Sequence, residues 1–176
     1  VWQRERFIAS QAGAPCTGAL KREPGFAFEL PTDVLVMGYT AEEQDRAASL
    51  RKQNFERIIE TPLIEAGLTK ADCLAIVERA GIELPIMYRL GFQNNNCIGC
   101  PKGGRGYWNM IRKHFPEAFD RMAKLQRELN VAFWVEPDGT KVYLDQLDPN
   151  RGVQHTEPNI ECSVLCYIAE QDIGTQ

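Results

Sequence analysis

Asp33-Val34-Leu35-Val36-Met37-Gly38-Tyr39-Thr40-Ala41-Glu42-Glu43-Gln44-Asp45-Arg46 is the stretch that sets the fold class. Val34 to Met37 form a short apolar run bounded by Asp33 and Gly38, the pattern of a strand buried in a sheet that is covered on both faces. A helix is expected to follow over Ala41 to Ile59. Glu42 and Glu43 suit its positive amino-terminal end, and Ala47, Leu50, Phe55 and Ile58 can share one face. Strand, glycine loop and helix make an α/β unit, and open α/β sheets bind ligands beyond the carboxyl ends of their strands. Gly38 to Arg46 is therefore a candidate binding segment, the alternative being a plain connection with a solvated charged face.

Working outward, Pro62 to Ile64 is another short apolar run. Thr69 offers an N-cap with Asp72 three residues on, which predicts a helix to about Ala80 that stops at Gly81. Leu84 to Leu90 predicts a further helical turn or two. Lys102-Gly103-Gly104-Arg105-Gly106 is a basic glycine turn leading into Tyr107 to Ile111, a place where a phosphate or sulfate can meet a helix start. Pro116 begins a helix whose Phe119, Met122, Leu125 and Leu129 lie at helical spacing and read as core. Val131 to Val135 and Lys141 to Leu144 flank Glu136-Pro137-Asp138-Gly139 and predict a β-hairpin. With no repeat, linker or charge block, the 176 residues read as a single domain.

Composition narrows the function classes. The chain is 44% hydrophobic and 25% charged with a formal net charge of −4, which fits a globular protein and gives no basic footprint for a nucleic-acid backbone. Neither a bilayer-spanning run nor a signal peptide's apolar stretch is seen, so a cytoplasmic location is expected. Val1 in place of methionine suggests a processed or trimmed start. Two histidines, three serines and the absence of G-x-S-x-G, H-E-x-x-H and G-x-x-x-x-G-K-[ST] argue against serine hydrolases, zinc proteases and Walker-type nucleotide hydrolases. His155 reads as a solvated loop residue, and His114 sits near a helix end where positive charge suits the dipole.

The six cysteines carry more. Cys97-Ile98-Gly99-Cys100 is a C-x-x-C whose glycine permits a tight turn, so that two thiolates can face one metal centre. Cys162 and Cys166 form a second close pair. Soft sulfur ligands suit zinc or an iron–sulfur cluster rather than magnesium or calcium, and spacing leaves those two open. Cys73 reads as an ordinary core residue on a helix face.

Four segments together resemble the phosphoadenylyl sulfate (PAPS) reductase family, particularly its short phage-type members. Pro15-Cys16-Thr17 with Leu20-Lys21 is similar to the family's R-x-C-T-x-x-L-K, and Gly38 to Arg46 is similar to G-I-R-A-D-E-x-x-R, keeping Gly38, Ala41, Glu43 and Arg46. Gly91 to Tyr107 resembles the phage-type C-x-x-C loop, and Glu161-Cys162-Ser163 resembles the E-C-G that carries the reductase nucleophile. The resemblance implies an adenine-nucleotide-α-hydrolase-like, Rossmann-like α/β sheet with a cysteine-rich helical and hairpin carboxyl-terminal part. The family's first strand and S-G-G-x-D-S phosphate loop have no counterpart in the 176 residues, so the expected domain is incomplete at its amino-terminal side.

The resemblance further implies a 4Fe–4S cluster, with zinc as the alternative metal. In this chain 80 residues, 17 to 96, separate Cys16 from Cys97, which resembles the spacing between the cysteine pair and the C-x-x-C of adenylyl sulfate reductases, so Cys16, Cys97 and Cys100 match cluster ligands of that family. Thr17 replaces one member of the family's cysteine pair, which leaves Cys166 as the candidate fourth ligand. Cys162 is then the nucleophile, and Lys21, Gly38, Glu43, Arg46, Lys102 and Arg105 are the substrate-binding candidates. The implied activity is thiol-dependent reduction of an adenylyl sulfate, PAPS or its unphosphorylated form, to sulfite in sulfate assimilation. Thioredoxin or glutaredoxin is the implied reductant, and a homodimer is compatible. Two alternatives stand beside it: ATP-dependent sulfur transfer to nucleic acid, which the acidic chain does not favour, and a noncatalytic domain stapled by a metal.

Overall fold

The computed structural model describes residues 1–8 and 15–152; His155, Cys162 and Cys166 lie outside them. The described chain runs α1 (Trp2–Glu5), α2 (Pro15–Thr17), a π-helical turn (Gly18–Arg22), α3 (Glu23–Phe28), β1 (Leu35–Val36), a 3-10 turn (Ala41–Glu43) and α4 (Gln44–Gln53). It continues through β2 (Ile59–Glu60), α5 (Pro62–Glu65), α6 (Lys70–Arg79), α7 (Ile86–Arg89), α8 (Arg105–His114) and α9 (Pro116–Leu129). β3 (Trp134–Val135), β4 (Lys141–Val142) and a 3-10 turn (Leu144–Gln146) complete it. Of these residues 52% are helical and 5% strand, so helices do most of the packing in a mixed fold with small sheets. No helix among the described residues is long and apolar enough to cross a membrane. The described residues form two compact units, Gly18–Leu84 and a second made of 1–8 and 15–17 with 85–152.

In the Gly18–Leu84 unit, β1 pairs in parallel with β2, Leu35 opposite Ile59 and Val36 opposite Glu60. The strand expected at Val34 to Met37 exists but is not covered on both faces: Val34 and Val36 are 44% and 59% exposed. One neighbouring strand supplies one ladder, and no described layer closes over Val36. The helix expected to reach Ile59 ends at Gln53, where the Asn54 side chain donates to the Leu50 carbonyl at 2.9 Å and closes the last turn. Phe55 and Ile58, placed on its apolar face by periodicity, are 83% and 64% exposed, whereas Ala47 is buried. Pro62 to Ile64 turns out helical, with proline in the first turn where its missing N–H costs nothing.

α6 follows its sequence signals. Asp72 accepts the Thr69 N–H at 2.9 Å and returns its own N–H to the Thr69 hydroxyl at 3.2 Å, a reciprocal cap. Gly81, at φ 70°, takes the left-handed conformation that ends the helix. Cys73 is half-buried on this helix.

The other unit holds the main core. α8 and α9 pack together around Trp108, Ile111, Phe119, Met122 and Leu125, with Ile8, Met87, Phe92, Leu144 and Leu147 completing the cluster. Burial of each large side chain stabilises the unit by about 1.5–3 kcal/mol. Phe119, Met122 and Leu125 are buried and Leu129 packs against them at partial exposure, as their spacing predicts. The hairpin forms over a shorter span, Trp134 opposite Val142 and Val135 opposite Lys141. His114 ends α8 half-buried, its ring edge-on to Phe92 at 6.3 Å.

Candidate functional site

The cysteine turn is built by backbone and one tyrosine. Cys100 N–H donates to the Cys97 carbonyl at 3.0 Å, closing a four-residue turn whose third residue, Gly99, sits at φ 79°. That positive φ is what glycine supplies in a type II turn. Gly103 N–H then donates to the Cys100 carbonyl at 3.0 Å, so a second turn follows directly. From the first turn of α8 the buried Tyr107 reaches back: its hydroxyl donates to the Cys97 carbonyl at 2.6 Å and accepts the Cys100 N–H at 2.9 Å. Its ring lies against Gly103, where a Cβ would stand 2.0 Å from the ring edge. The two thiols differ in setting, Cys97 being exposed and Cys100 half-buried beside the core cluster.

Among the cationic candidates, Arg46 and Arg105 are each paired with a carboxylate and an aromatic ring. Arg105, the first residue of α8, donates from Nη2 to Glu136 Oε1 at 2.7 Å and lies 5.4 Å from the centre of the Trp134 ring. Arg151 reaches the same oxygen at 2.8 Å. Lys102 follows the cysteine turn, half-buried and also engaged. The backbone in front of the α8 amino terminus is occupied: a Cβ on Gly152 would stand 2.3 Å from the Gly106 nitrogen. Asn109 fixes that approach by donating to the carbonyls of Asp148 and Arg151 at 2.9 and 2.8 Å.

In the other unit, Gly38 to Arg46 is tied within itself and to the chain at Leu68 and Lys70, the Ala41 N–H donating to the Leu68 carbonyl at 2.8 Å. Glu43 Oε2 accepts the Thr40 N–H at 3.0 Å, and its Oε1 takes Arg46 Nη1 at 2.7 Å. The Arg46 guanidinium also lies over the Tyr39 ring at 4.8 Å. Gly38 has no positive φ, and a Cβ there would meet nothing within 4 Å. Glu42 turns outward to the next helix and accepts the Lys70 N–H at 3.2 Å. Hydrogen bonds from its own backbone, the Thr40 side chain and Lys70 hold its carboxyl below the usual range. Lys21 is the penultimate residue of the π-helical turn and is exposed.

Neither a protein-family model, a curated protein nor a solved structure matches the chain.

The sequence candidates thus fall into two groups, Cys16, Cys97, Cys100, Lys102 and Arg105 in one unit and Lys21, Gly38, Glu43 and Arg46 in the other. Cys162 and Cys166 lie outside the described residues. For a metal, Cys97 and Cys100 share a braced turn and make a soft donor pair suited to zinc or iron. Cys16, half-buried in α2, does not join them, since no group of three His, Cys, Asp or Glu side chains able to hold a metal occurs among the described residues. Two donors supply half of a four-ligand centre. Two functional residues lie outside the sequence candidates: Tyr107, for which the four-residue step from Gly103 is the available signal, and Glu136, which Arg105 and Arg151 share.

Proposed function

We propose that the chain is a thiol-dependent reductase of adenylyl sulfates, built on a Rossmann-like α/β core with a cysteine-rich lobe. The observation that carries this reading is the Cys97–Cys100 turn, held at both ends by the Tyr107 hydroxyl and followed at once by the basic helix start, in the segment that most resembles the reductase family. In the reaction the Cys162 thiolate attacks the sulfur of the sulfate group. The new S–S bond forms as the bond from sulfur to the bridging oxygen breaks, and the nucleotide leaves with its phosphate. A thiolate of thioredoxin or glutaredoxin then attacks the cysteine sulfur and expels sulfite; the second thiol of that dithiol resolves the mixed disulfide. Cys97 and Cys100 would hold the metal centre, with Cys16 as a further ligand by resemblance and Cys166 as the fourth by elimination. Sulfite release from PAPS or adenylyl sulfate in the presence of thioredoxin, abolished in Cys162→Ser, is the expected result; wild-type chain that releases none overturns it.

A second reading, a noncatalytic domain stapled by a metal, is favoured by one observation. Arg46 and Arg105, both needed as anion holders, are paired with Glu43 and Glu136. Metal-dependent folding without sulfite release distinguishes it from the first.

A further inference from the structure

A cleft of 280 Å³ opens beside the hairpin, between the first residue of α8, β4 and the turn after it. Its charged wall consists of Arg105, Lys141 and Arg151 against Glu136 and Asp148, three cations to two carboxylates. The carboxylates are already engaged. Glu136 Oε1 takes Arg105 and Arg151 at 2.7 and 2.8 Å, and Asp148 Oδ1 accepts the Asn150 N–H at 2.8 Å. The cations keep capacity in reserve. Lys141 is 3.3 Å from a neutral acceptor, the Asn130 carbonyl, and Arg105 Nε is buried with no hydrogen-bond partner among the described residues. A guanidinium offers five donors in a planar fork, and a buried donor lacking an acceptor is rare enough to call for one. The Arg105 guanidinium carbon also lies 5.4 Å from the centre of the Trp134 ring, a cation–π contact on one side of the fork. The helix terminus is not the receptor here, because the Gly152 main chain stands in front of it.

We propose that this cleft binds a small tetrahedral oxyanion, free phosphate or the head of a phosphate monoester, between Arg105, Lys141 and Arg151. Glu136 acts as a built-in competitor that holds the two guanidiniums together until the anion arrives. The site shares Arg105 with the reductase reading, but the cleft with Lys141 and Arg151 carries it, so failure of sulfite release leaves it standing.

The test titrates the full chain with inorganic phosphate and separately with glycerol phosphate, followed by calorimetry and phosphorus NMR line width. Saturable binding is expected, weakened about fivefold or more in Arg151→Gln and tightened by a similar factor in Glu136→Gln, which frees both guanidiniums. Tighter binding of the ester names a phosphate monoester as the occupant, and tighter binding of the ion names free phosphate; either supports the site. Where Arg151→Gln or Glu136→Gln fails to fold by circular dichroism, Lys141→Gln, altered at an exposed ammonium, takes its place with weakening expected. Absence of saturable binding, or binding that no folded variant alters, overturns the proposal.

Discussion

The Tyr107 hydroxyl donates to the Cys97 carbonyl at 2.6 Å, and through the same oxygen it receives the Cys100 N–H at 2.9 Å, so one side chain of α8 ties both ends of the cysteine turn. Tyr107→Phe keeps the ring against Gly103 and removes that tie. The turn retains its own bond between Cys100 and Cys97, so the expected loss in stability is about 1 kcal/mol, read as a lower denaturation midpoint. Loosening the thiol pair is expected to weaken cobalt binding several-fold, followed by thiolate-to-cobalt absorption. An unchanged midpoint together with unchanged cobalt affinity would mean that the tie is incidental.

Gly103 and Gly152 are expected to tolerate no side chain, for different reasons. A methyl group on Gly103 meets the Tyr107 ring at 2.0 Å, and one on Gly152 meets the Gly106 backbone nitrogen at 2.3 Å at a φ of 100°. The ring can shift at a cost in core packing; the backbone cannot. Gly103→Ala is expected to destabilise by about 1–3 kcal/mol, and Gly152→Ala to detach the 148–152 segment and free the Asn109 side chain. Thermal unfolding reads the first. Faster amide exchange at the start of α8 reads the second, and protection equal to wild type would refute it.

Asp72 gives a pH signature to α6. The Thr69 side chain and then the Thr69 backbone N–H hold its carboxyl below the usual aspartate value of 3.8. A depressed folded-state value means that the ionised form is favoured by folding. The contribution is therefore complete above the unfolded value and lost as pH falls through the lower, folded one. Wild type is expected to be more stable than Asp72→Asn at pH 6, and the difference is expected to shrink as pH drops below 3.8. Denaturant midpoints of the two chains measured across that interval check the sign; a gap that widens on acidification contradicts it.

Elements whose determinants are local were legible in the sequence. Thr69, Asp72 and Gly81 bound α6 through bonds spanning a few residues, and Phe119, Met122 and Leu125 sit on the buried stripe of α9 because 3.6-residue periodicity is a property of the helix alone. Features set by distant chain were not. Val34 to Met37 carries the composition of a fully buried strand, but burial depends on what covers a sheet, and β1 has one described neighbour and an exposed Val36. The helix after it stops early because Asn54 folds back on Leu50, a choice that competes with continued periodicity. At the site, the C-x-x-C and its glycine were readable, whereas the pairing of Arg105 with Glu136 crosses 31 residues of sequence and required the hairpin to form.

The same separation governs the metal. Cys97 and Cys100 are neighbours by local turn geometry, but any further ligand must arrive through tertiary structure, and Cys16 is not gathered with them among the described residues. Iron, sulfide and zinc are to be measured on anaerobically purified wild type and on Cys97→Ser, Cys100→Ser and Cys16→Ser. A metal held by the turn is expected to be lost in the first two variants, since removing one thiolate from a soft-ligand site removes both a bond and half of the chelating pair. Iron and sulfide near four per chain, with loss in Cys16→Ser as well, would mean that α2 closes onto the turn when the centre is loaded. One zinc that survives Cys16→Ser would instead confine the ligands to the turn and the carboxyl-terminal cysteines, because a tetrahedral zinc site needs four donors and Cys97 with Cys100 supplies two. Wild type without any metal would leave the pair as a dithiol, and the exposed Cys97 would then be the first of the two expected to react with an alkylating reagent.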